Sequence, residues 1–285
     1  MEECSVSVML KECNVKKQNM KEAKMEYEAF VDPETAFVNI SQKWKKWADE
    51  NKLSNYVVGI SGGVDSTCAA ALAAKIFGKS NVIGVSLPCD GQKDMSDVNA
   101  VFEHLGIRRI TIDIGNAFYD LKCGIENQGL EVTEQCTTNM PARLRMTALF
   151  GVAQCFGYAV LNTCNRSESI VGYDTLFGDS CGSYAPLKML TKTEVRELAL
   201  WLGVPSHLAY KTSIDGLQPL TDEQKFGFSY AELDMFIRHA GDVSQKTADK
   251  IVGMYHRNKF KLEIINVPGP DFSFVTDVFR AGLHD

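Results

Sequence analysis

Apolar and polar positions alternate along this chain in blocks that read as strands and helices in turn. Apolar runs at 56–60, 82–87 and 109–114 predict strands, and the patterns at 66–77 and 96–105 between them predict helices, with Gly78 and Gly106 as stops. Such alternation implies a parallel sheet covered by helices, with ligands at the carboxyl ends of the strands. Upstream, Asp32-Pro33 is a cap-then-proline helix start, and Phe37, Ile40, Trp44 and Trp47 follow at helical spacing as a core face. Downstream, Pro141 to Phe156 predicts a long helix and Tyr158 to Leu161 the next strand. The stretch from Tyr173 to Leu190 is rich in Gly, Asp and Ser with little periodicity, the profile of a functional loop. Helices resume at 192–202, 229–240 and 244–256, and Gly216, Pro219 and Gly227 break the pattern over 215–228. Residues 1–30 are polar, Lys/Glu-rich and aperiodic, so a loose extension is expected there. Residues 31–285 form one α/β unit in this reading, a doubly wound parallel sheet flanked by helices, with a helical C-terminal elaboration.

Composition changes this picture little. A hydrophobic content of 45% over 285 residues is ample for a buried core. The net charge of −6 gives no broad cationic field for nucleic acid or for an anionic membrane surface. Met1 to Met20 mixes Lys and Glu without an apolar core, and no segment approaches the roughly 18 apolar residues of a membrane span, so the cytoplasm is the expected location. Nine cysteines, at 4, 13, 68, 89, 123, 136, 155, 164 and 181, contain no Cys-x-x-Cys and read as reduced, mostly buried thiols. Five histidines, at 104, 207, 239, 256 and 284, form no i, i+4 metal pair.

The chemistry is concentrated at the end of the first predicted strand. Gly59, Ile60, Ser61, Gly62, Gly63, Val64, Asp65 and Ser66 lie between the apolar run Tyr56-Val57-Val58 and an alanine-rich stretch. A strand feeding a Ser/Gly turn and then a helix aims backbone N–H groups and a positive helix end at one spot, where polyphosphate can sit. Gly62 and Gly63 let phosphate approach the backbone, and Ser61 and Ser66 add hydroxyl donors. A carboxylate at Asp65 would repel phosphates unless a divalent cation lay between, which makes it a candidate magnesium ligand. The loop lacks both the Gly-Lys-Ser/Thr ending of the common P-loop and the Gly-x-Gly-x-x-Gly spacing of dinucleotide folds. Ser-Gly-Gly-x-Asp-Ser instead resembles the PP-loop of ATP pyrophosphatases, which split ATP between the α- and β-phosphates.

Further blocks extend the resemblance to about residues 32–272. They are Leu-Pro-Cys-Asp-Gly-Gln at 87–92, Pro-Ala-Arg-Leu-Arg-Met at 141–146, Asn-Thr-Cys-Asn-Arg-Ser-Glu at 162–168, Gly-Asp-Ser at 178–180 and Pro-Leu-Lys-Met-Leu-Thr-Lys-Thr-Glu-Val at 186–195. Asp-Gly-Leu at 215–217, Thr-Asp-Glu with Gly-Phe-Ser-Tyr at 221–230 and Phe-Lys-Leu at 260–262 complete the order. In this ordered combination the chain resembles the ammonia-dependent NAD synthetases, with an adenine nucleotide alpha hydrolase-like fold. The resemblance implies that ATP adenylates the nicotinate carboxylate of deamido-NAD and that ammonia then displaces AMP. It implies Asp65 and Glu168 as Mg2+ carboxylates, Lys192 and Thr163 as ATP contacts, and Gln92 in the adenine-side segment. Asp179 matches a loop aspartate beside the reacting centre, while Arg143 and Lys261 match dinucleotide contacts. A homodimer is also implied. At 285 residues the chain is too short to add a glutaminase, so free ammonia is the expected nitrogen donor.

Three positions in the dinucleotide region depart from the family pattern. Leu176 stands where a basic residue is usual, Ser183 where an acidic one is common, and Ile214 replaces a hydroxyl residue. Two alternatives follow. One is a related adenylating amidase or thiolase for another carboxylate or a nucleobase, with Cys164 as a candidate sulfur carrier. The other is a nucleotide-binding regulator without turnover, against which the joint presence of Asp65, Glu168 and Lys192 argues. Taken singly, Glu168 and Thr163 also read as helix caps and Lys192 as an exposed first-turn residue. A cation in a first turn opposes the helix dipole, which favours a ligand role for Lys192.

Overall fold

A computed structural model describes residues 30–89, 95–211, 221–272 and 275–279. Four parallel strands form the sheet, β1 (Tyr56–Gly59), β2 (Val82–Ser86), β3 (Arg108–Thr111) and β4 (Ala159–Val160), in the spatial order β3-β2-β1-β4. The chain steps outward from β1 to β3 and then returns to the other side of β1. The crevice where that direction reverses lies between β1 and β4, at their carboxyl ends. This is where open α/β sheets bind ligands.

Strand side chains alternate between two cores. Tyr56, Val58 and Val82 face one side, where α1 (Pro33–Asn51), α2 (Val64–Phe77), α3 (Met95–Leu105) and α7 (Lys192–Trp201) pack. Val57, Ile83 and Val85 face the other, under Met146, Leu149, Val152 and Ala153 of α5 (Glu134–Phe156). Burial on both faces explains why β1 and β2 read as uninterrupted apolar runs. Helix α1 starts as predicted, with the Asp32 carboxylate accepting from Glu34 N and Thr35 N at 3.1 and 3.0 Å, and it buries Ile40 and Trp44. A side chain at Gly84 would place its Cβ 2.5 Å from the Phe102 ring, so α3 approaches the sheet only because that strand position is bare.

Several boundaries differ from those read in the sequence. β3 ends at Thr111, although its backbone continues to bond to the neighbouring chain through Ile112 N to Ser86 O and Ile114 N to Pro88 O. Helix α4 (Gly115–Glu126) was not anticipated, although Phe118, Leu121 and Ile125 stand at helical spacing; it buries only Gly115 fully and half-buries Phe118 and Ile125. Helix α5 begins at Glu134 and not at Pro141, with Thr133 as its cap. Pro141 lies inside it, where the pyrrolidine removes one backbone bond and burial of Met140, Pro141 and Met146 holds the helix together. Beyond β4 come α6 (Arg166–Val171), α7 and the short α8 (Ser206–Ala209). In the stretch expected to be broken, α9 (Asp222–Phe226) is opened by a capping box between Thr221 and Gln224, a signal the four-residue spacing carried. Helices α10 (Tyr230–Arg238), α11 (Gln245–Asn258) and α12 (Phe260–Ile264) complete the fold.

The C-terminal helices have their own apolar cluster, in which Ile170 and Val171 of α6 meet Phe228, Tyr230, Ile237, Ile251, Tyr255 and Phe279. Buried ion pairs tie it to the sheet domain. Arg166 donates to Asp277 at 2.6 and 3.0 Å, and Arg238 donates to both oxygens of Glu194 at 2.8 and 2.6 Å. Of the seven described cysteines only Cys68 is buried, and Cys123 and Cys155 are exposed, so the expectation of mostly buried thiols does not hold. Both exposed thiols lie on helix positions facing away from the cores. The stretch 1–29, Gln92 and Ile214 lie outside the described residues. Because Arg238 is sealed, its replacement strands Glu194 as a lone buried charge. Arg238→Met is expected to lower unfolding stability by about 3–5 kcal/mol, read from urea denaturation.

Candidate active site

Two strand ends build the site. Gly59 leaves β1 against Leu149, and Ile60 continues the sheet by donating from its N–H to Val85 O at 2.8 Å. The side chains of Ile60 and Val64 are buried in the core, so within the loop they contribute backbone only. Gly62 turns with φ of +81°, and an added Cβ would meet Asp97 Cβ at 3.0 Å and Val98 N at 3.2 Å, so glycine is required both for conformation and for room. Ser61 and Ser66 brace the turn: their hydroxyls lie 3.2 Å apart, Gly63 N donates to Ser61 Oγ, and Ser66 Oγ donates to Gly63 O. No side chain caps the start of α2, where Gly63 is the N-cap. Its first-turn N–H groups and positive dipole end are therefore presented to a ligand.

The end of β4 faces this loop. Asn165 caps α6 in a capping box with Glu168, and its amide donates to Asp65 Oδ1 at 2.7 Å across the crevice. Lys192, at the first position of α7, sends its ammonium to Asp65 Oδ2 at 2.6 Å and Glu168 Oε1 at 2.9 Å. The structure thus brings together Asp65, Glu168 and Lys192, which are 100 or more and 24 residues apart in the relevant pairs. Lys192 is buried rather than an exposed first-turn residue. Burial alone would favour its neutral form, but Asp65 and Glu168 outweigh that and hold its pKa above the ordinary lysine range. Burial, followed by the Asp65 charge, pushes Glu168 upward, and Lys192 offsets part of the rise. Two hard carboxylate oxygens beside a phosphate-type loop match what magnesium accepts from a protein when substrate phosphates and water complete its shell.

The loop 173–190 covers the site and is knitted to β4 by Asn162, whose amide donates to the carbonyls of Asp179 and Cys181 at 2.9 and 3.0 Å. Thr163 lies half-buried in the same segment, and no hydrogen bond engages its side chain among the described residues. Asp179 is exposed as a residue, while its carboxylate accepts from Thr175 N at 2.7 Å. Desolvation by the surrounding chain raises that carboxyl to about 6, only partly opposed by the Thr175 bond. Cys164 donates its thiol to Asp179 O at 3.3 Å, and burial with four nearby carboxylates pushes its pKa well above that of an ordinary thiol. Such a thiol holds little thiolate, which weighs against a sulfur-carrier role.

A cavity of about 510 Å³ adjoins this loop, and Arg143, Leu176 and Lys261 line it together with Phe260, Asn139 and Glu134. Arg143 Nε donates to Leu176 O at 3.1 Å. Lys261 is already engaged by Gly172 O, Asp174 O and the Asp174 carboxylate. Ser183 does not join them, since its hydroxyl accepts from Val160 N at 3.2 Å and so serves the strand. Sequence reading missed Asn165 and Asn162, which were quoted within a motif but carry no charge to mark them. Phe260 stood only as a neighbour of Lys261 in its motif, and Glu134 gave no signal, yet both line this cavity.

A Gly-rich turn at a topological switch point, an uncapped helix start and two carboxylates sharing one ammonium define a nucleotide-activating α/β enzyme of the PP-loop type. The NAD synthase family model matches residues 36–265, and this chain belongs to that family. It is 34% identical over 262 residues to the NH(3)-dependent NAD(+) synthetase of Thermococcus kodakarensis, covering 87% of this chain and 99% of that one. It is 38% identical to the enzyme of the same name from Pyrococcus furiosus, over 70% of this chain and 76% of the relative. Among solved structures it is similar to an NMN synthetase from Francisella tularensis, with a TM-score of 0.75, 32% identity, and coverage of 81% and 96%. An NAD+ synthetase from Burkholderia pseudomallei matches with a TM-score of 0.69 and 25% identity, over 85% and 94% of the chains.

The Asp179 shift has a definite sign. A carboxyl raised from 3.8 to about 6 binds a proton in the folded state before it does in the unfolded one, so its contribution to stability declines as pH rises through that window. Asp179→Asn is expected to flatten the fall in Tm between pH 4 and 6 relative to the parent, as read by thermal scans at fixed ionic strength.

Proposed function

We propose that this protein uses ATP to adenylate the nicotinate carboxylate of deamido-NAD and then amidates it with free ammonia, yielding NAD, AMP and pyrophosphate. The observation that carries this reading is the single Lys192 ammonium held by Asp65 and Glu168 at the meeting of β1 and β4. Such an arrangement serves a polyphosphate whose charge moves during reaction. A carboxylate oxygen attacks the α-phosphorus, and the bond from that phosphorus to the bridging oxygen of pyrophosphate breaks. Ammonia next attacks the acyl carbon, the bond to the AMP oxygen breaks, and nitrogen loses a proton.

Each step has a residue to support it. Gly62 and the uncapped first turn of α2 present backbone donors to the phosphates, and Lys192 stabilises the charge that gathers on the departing pyrophosphate. Asp65 and Glu168 would hold Mg2+, which supplies charge neutralisation across the phosphates. Asp179, with a carboxyl raised to about 6, suits the acceptance of a proton from incoming ammonium near neutrality. Arg143 and the 510 Å³ cavity beside it support the place of the dinucleotide. Exposed Tyr119 and Leu121 on α4 and exposed Leu130 before α5 support a homodimer. Among the described residues no helix is long and apolar enough to cross a membrane.

A second reading is favoured by Leu176. Leu176, aliphatic where the family usually has a basic residue, lines the cavity, and a relative titled NMN synthetase shares this fold at 32% identity. The acid would then be the pyridine mononucleotide. Supplying ATP and ammonium with deamido-NAD or with nicotinate mononucleotide, and comparing kcat/KM, separates the two readings. Deamido-NAD is expected to be preferred, with pyrophosphate and AMP formed in equal amounts; ADP and orthophosphate would reject the mechanism for both acids. Lys192→Met is expected to reduce kcat by about 10²–10³, measured as pyrophosphate release, and a near-parental rate would remove its assigned role. Size-exclusion chromatography with light scattering tests the dimer.

A further inference from the structure

Two buried arginines and one half-buried arginine differ in their partners. Arg166 and Arg238 each have a carboxylate in a two-pronged hydrogen bond, with Asp277 and Glu194 respectively. Arg145 does not. Its Nε donates to Leu87 O at 3.0 Å, and its two terminal nitrogens make no hydrogen bond or ion pair among the described residues. A half-buried guanidinium whose fork has no anion is suited to an oxyanion brought by a ligand.

Its place in the fold narrows which oxyanion. Residues 143 and 145 are two apart on α5, so their side chains leave the helix on nearly opposite sides. Arg143 lines the large cavity, and Arg145 is turned to the sheet end. Gly59 of β1 pairs with Val85 of β2, so Ser61 and Leu87, each two residues on, leave the sheet at the same level. The guanidinium is thus anchored beside the start of the phosphate loop, on the β2 side, whereas Lys192 and Glu168 reach the loop from the β4 side. Asp179 lies within electrostatic reach of Arg145.

We infer that Arg145 is a catalytic residue whose terminal nitrogens bind the α-phosphoryl oxygens of the nucleotide, holding them through formation of the acyl adenylate and in the AMP that leaves. This rests on the amidase reading above. In that chemistry the α-phosphorus gains an acyl oxygen and loses the pyrophosphate oxygen, while its two non-bridging oxygens stay on the AMP moiety throughout. A guanidinium fork matches that pair of oxygens, and a neutral side chain does not.

AMP and pyrophosphate, titrated separately by calorimetry into the full-length protein with Mg2+, test the assignment because AMP carries only the α-phosphate. Arg145→Gln is expected to weaken AMP roughly 10- to 100-fold and to leave pyrophosphate unchanged. kcat should fall by a similar or larger factor, and Arg145→Lys should recover part of both losses. AMP affinity and kcat within about twofold of the parent would overturn the inference. Loss of affinity for the acid substrate with AMP binding intact would also overturn it, by assigning the fork to the acid. Should Arg145→Gln unfold, Arg145→Lys, which keeps the cation and a donor, carries the same criteria. If the parent itself amidates no pyridine acid, the amidase reading falls, while the AMP titration still reports on the fork.

Discussion

The buried ammonium of Lys192 between Asp65 and Glu168 is the contact on which the arrangement of this protein turns. Asp65 follows β1, Glu168 follows β4 and Lys192 opens α7, so one side-chain nitrogen joins three elements at the reversal point of the sheet. Two carboxylates at such close quarters repel, and only the cation between them makes the crevice tolerable in a low-dielectric setting. The same cluster is complementary to a ligand of the opposite kind. A chain of phosphates with a divalent cation presents negative and positive charge in alternation, and this trio can answer both.

The surroundings serve to hold that trio in place. Asp234, buried on α10, accepts from the Ser167 hydroxyl and from Thr193 N, and Ser167 Oγ in turn accepts from Lys192 N at 3.0 Å. The first turns of α6 and α7 are thereby locked to one another. Tyr230 lies under the ammonium, with Lys192 Nζ 5.0 Å from its ring centroid. Arg166 and Arg238 then fasten α6 and α10 to the segment around Asp277 and to Glu194. The C-terminal helices, which look like an appendage in the chain order, are the buttress of the site.

Much of this was legible in the residues themselves. The rhythm of apolar runs identified the parallel sheet because strands buried on both faces and amphipathic helices leave different periodicities. Gly62 and Asp65 were legible because a positive φ and a carboxylate beside a phosphate loop each demand a specific residue type. Helix α4 went unread although Phe118, Leu121 and Ile125 stand at helical spacing, and Pro141 misdirected the start of α5 because packing overrode its local preference. Ser183 was placed with the substrate by its position in a motif, yet its hydroxyl is committed to Val160.

The amino-acid sequence by itself determined the sheet, the phosphate-type loop and the family, because these depend on local periodicity and on residue types that tolerate few substitutes. Only the tertiary structure decided which charges meet. Asp65 and Lys192 are 127 residues apart, Arg166 and Asp277 are 111 apart, and Arg145 has no anionic partner at all among the described residues. Pairing of that kind is a property of strand order and helix packing, and a linear pattern carries no distance between its distant parts.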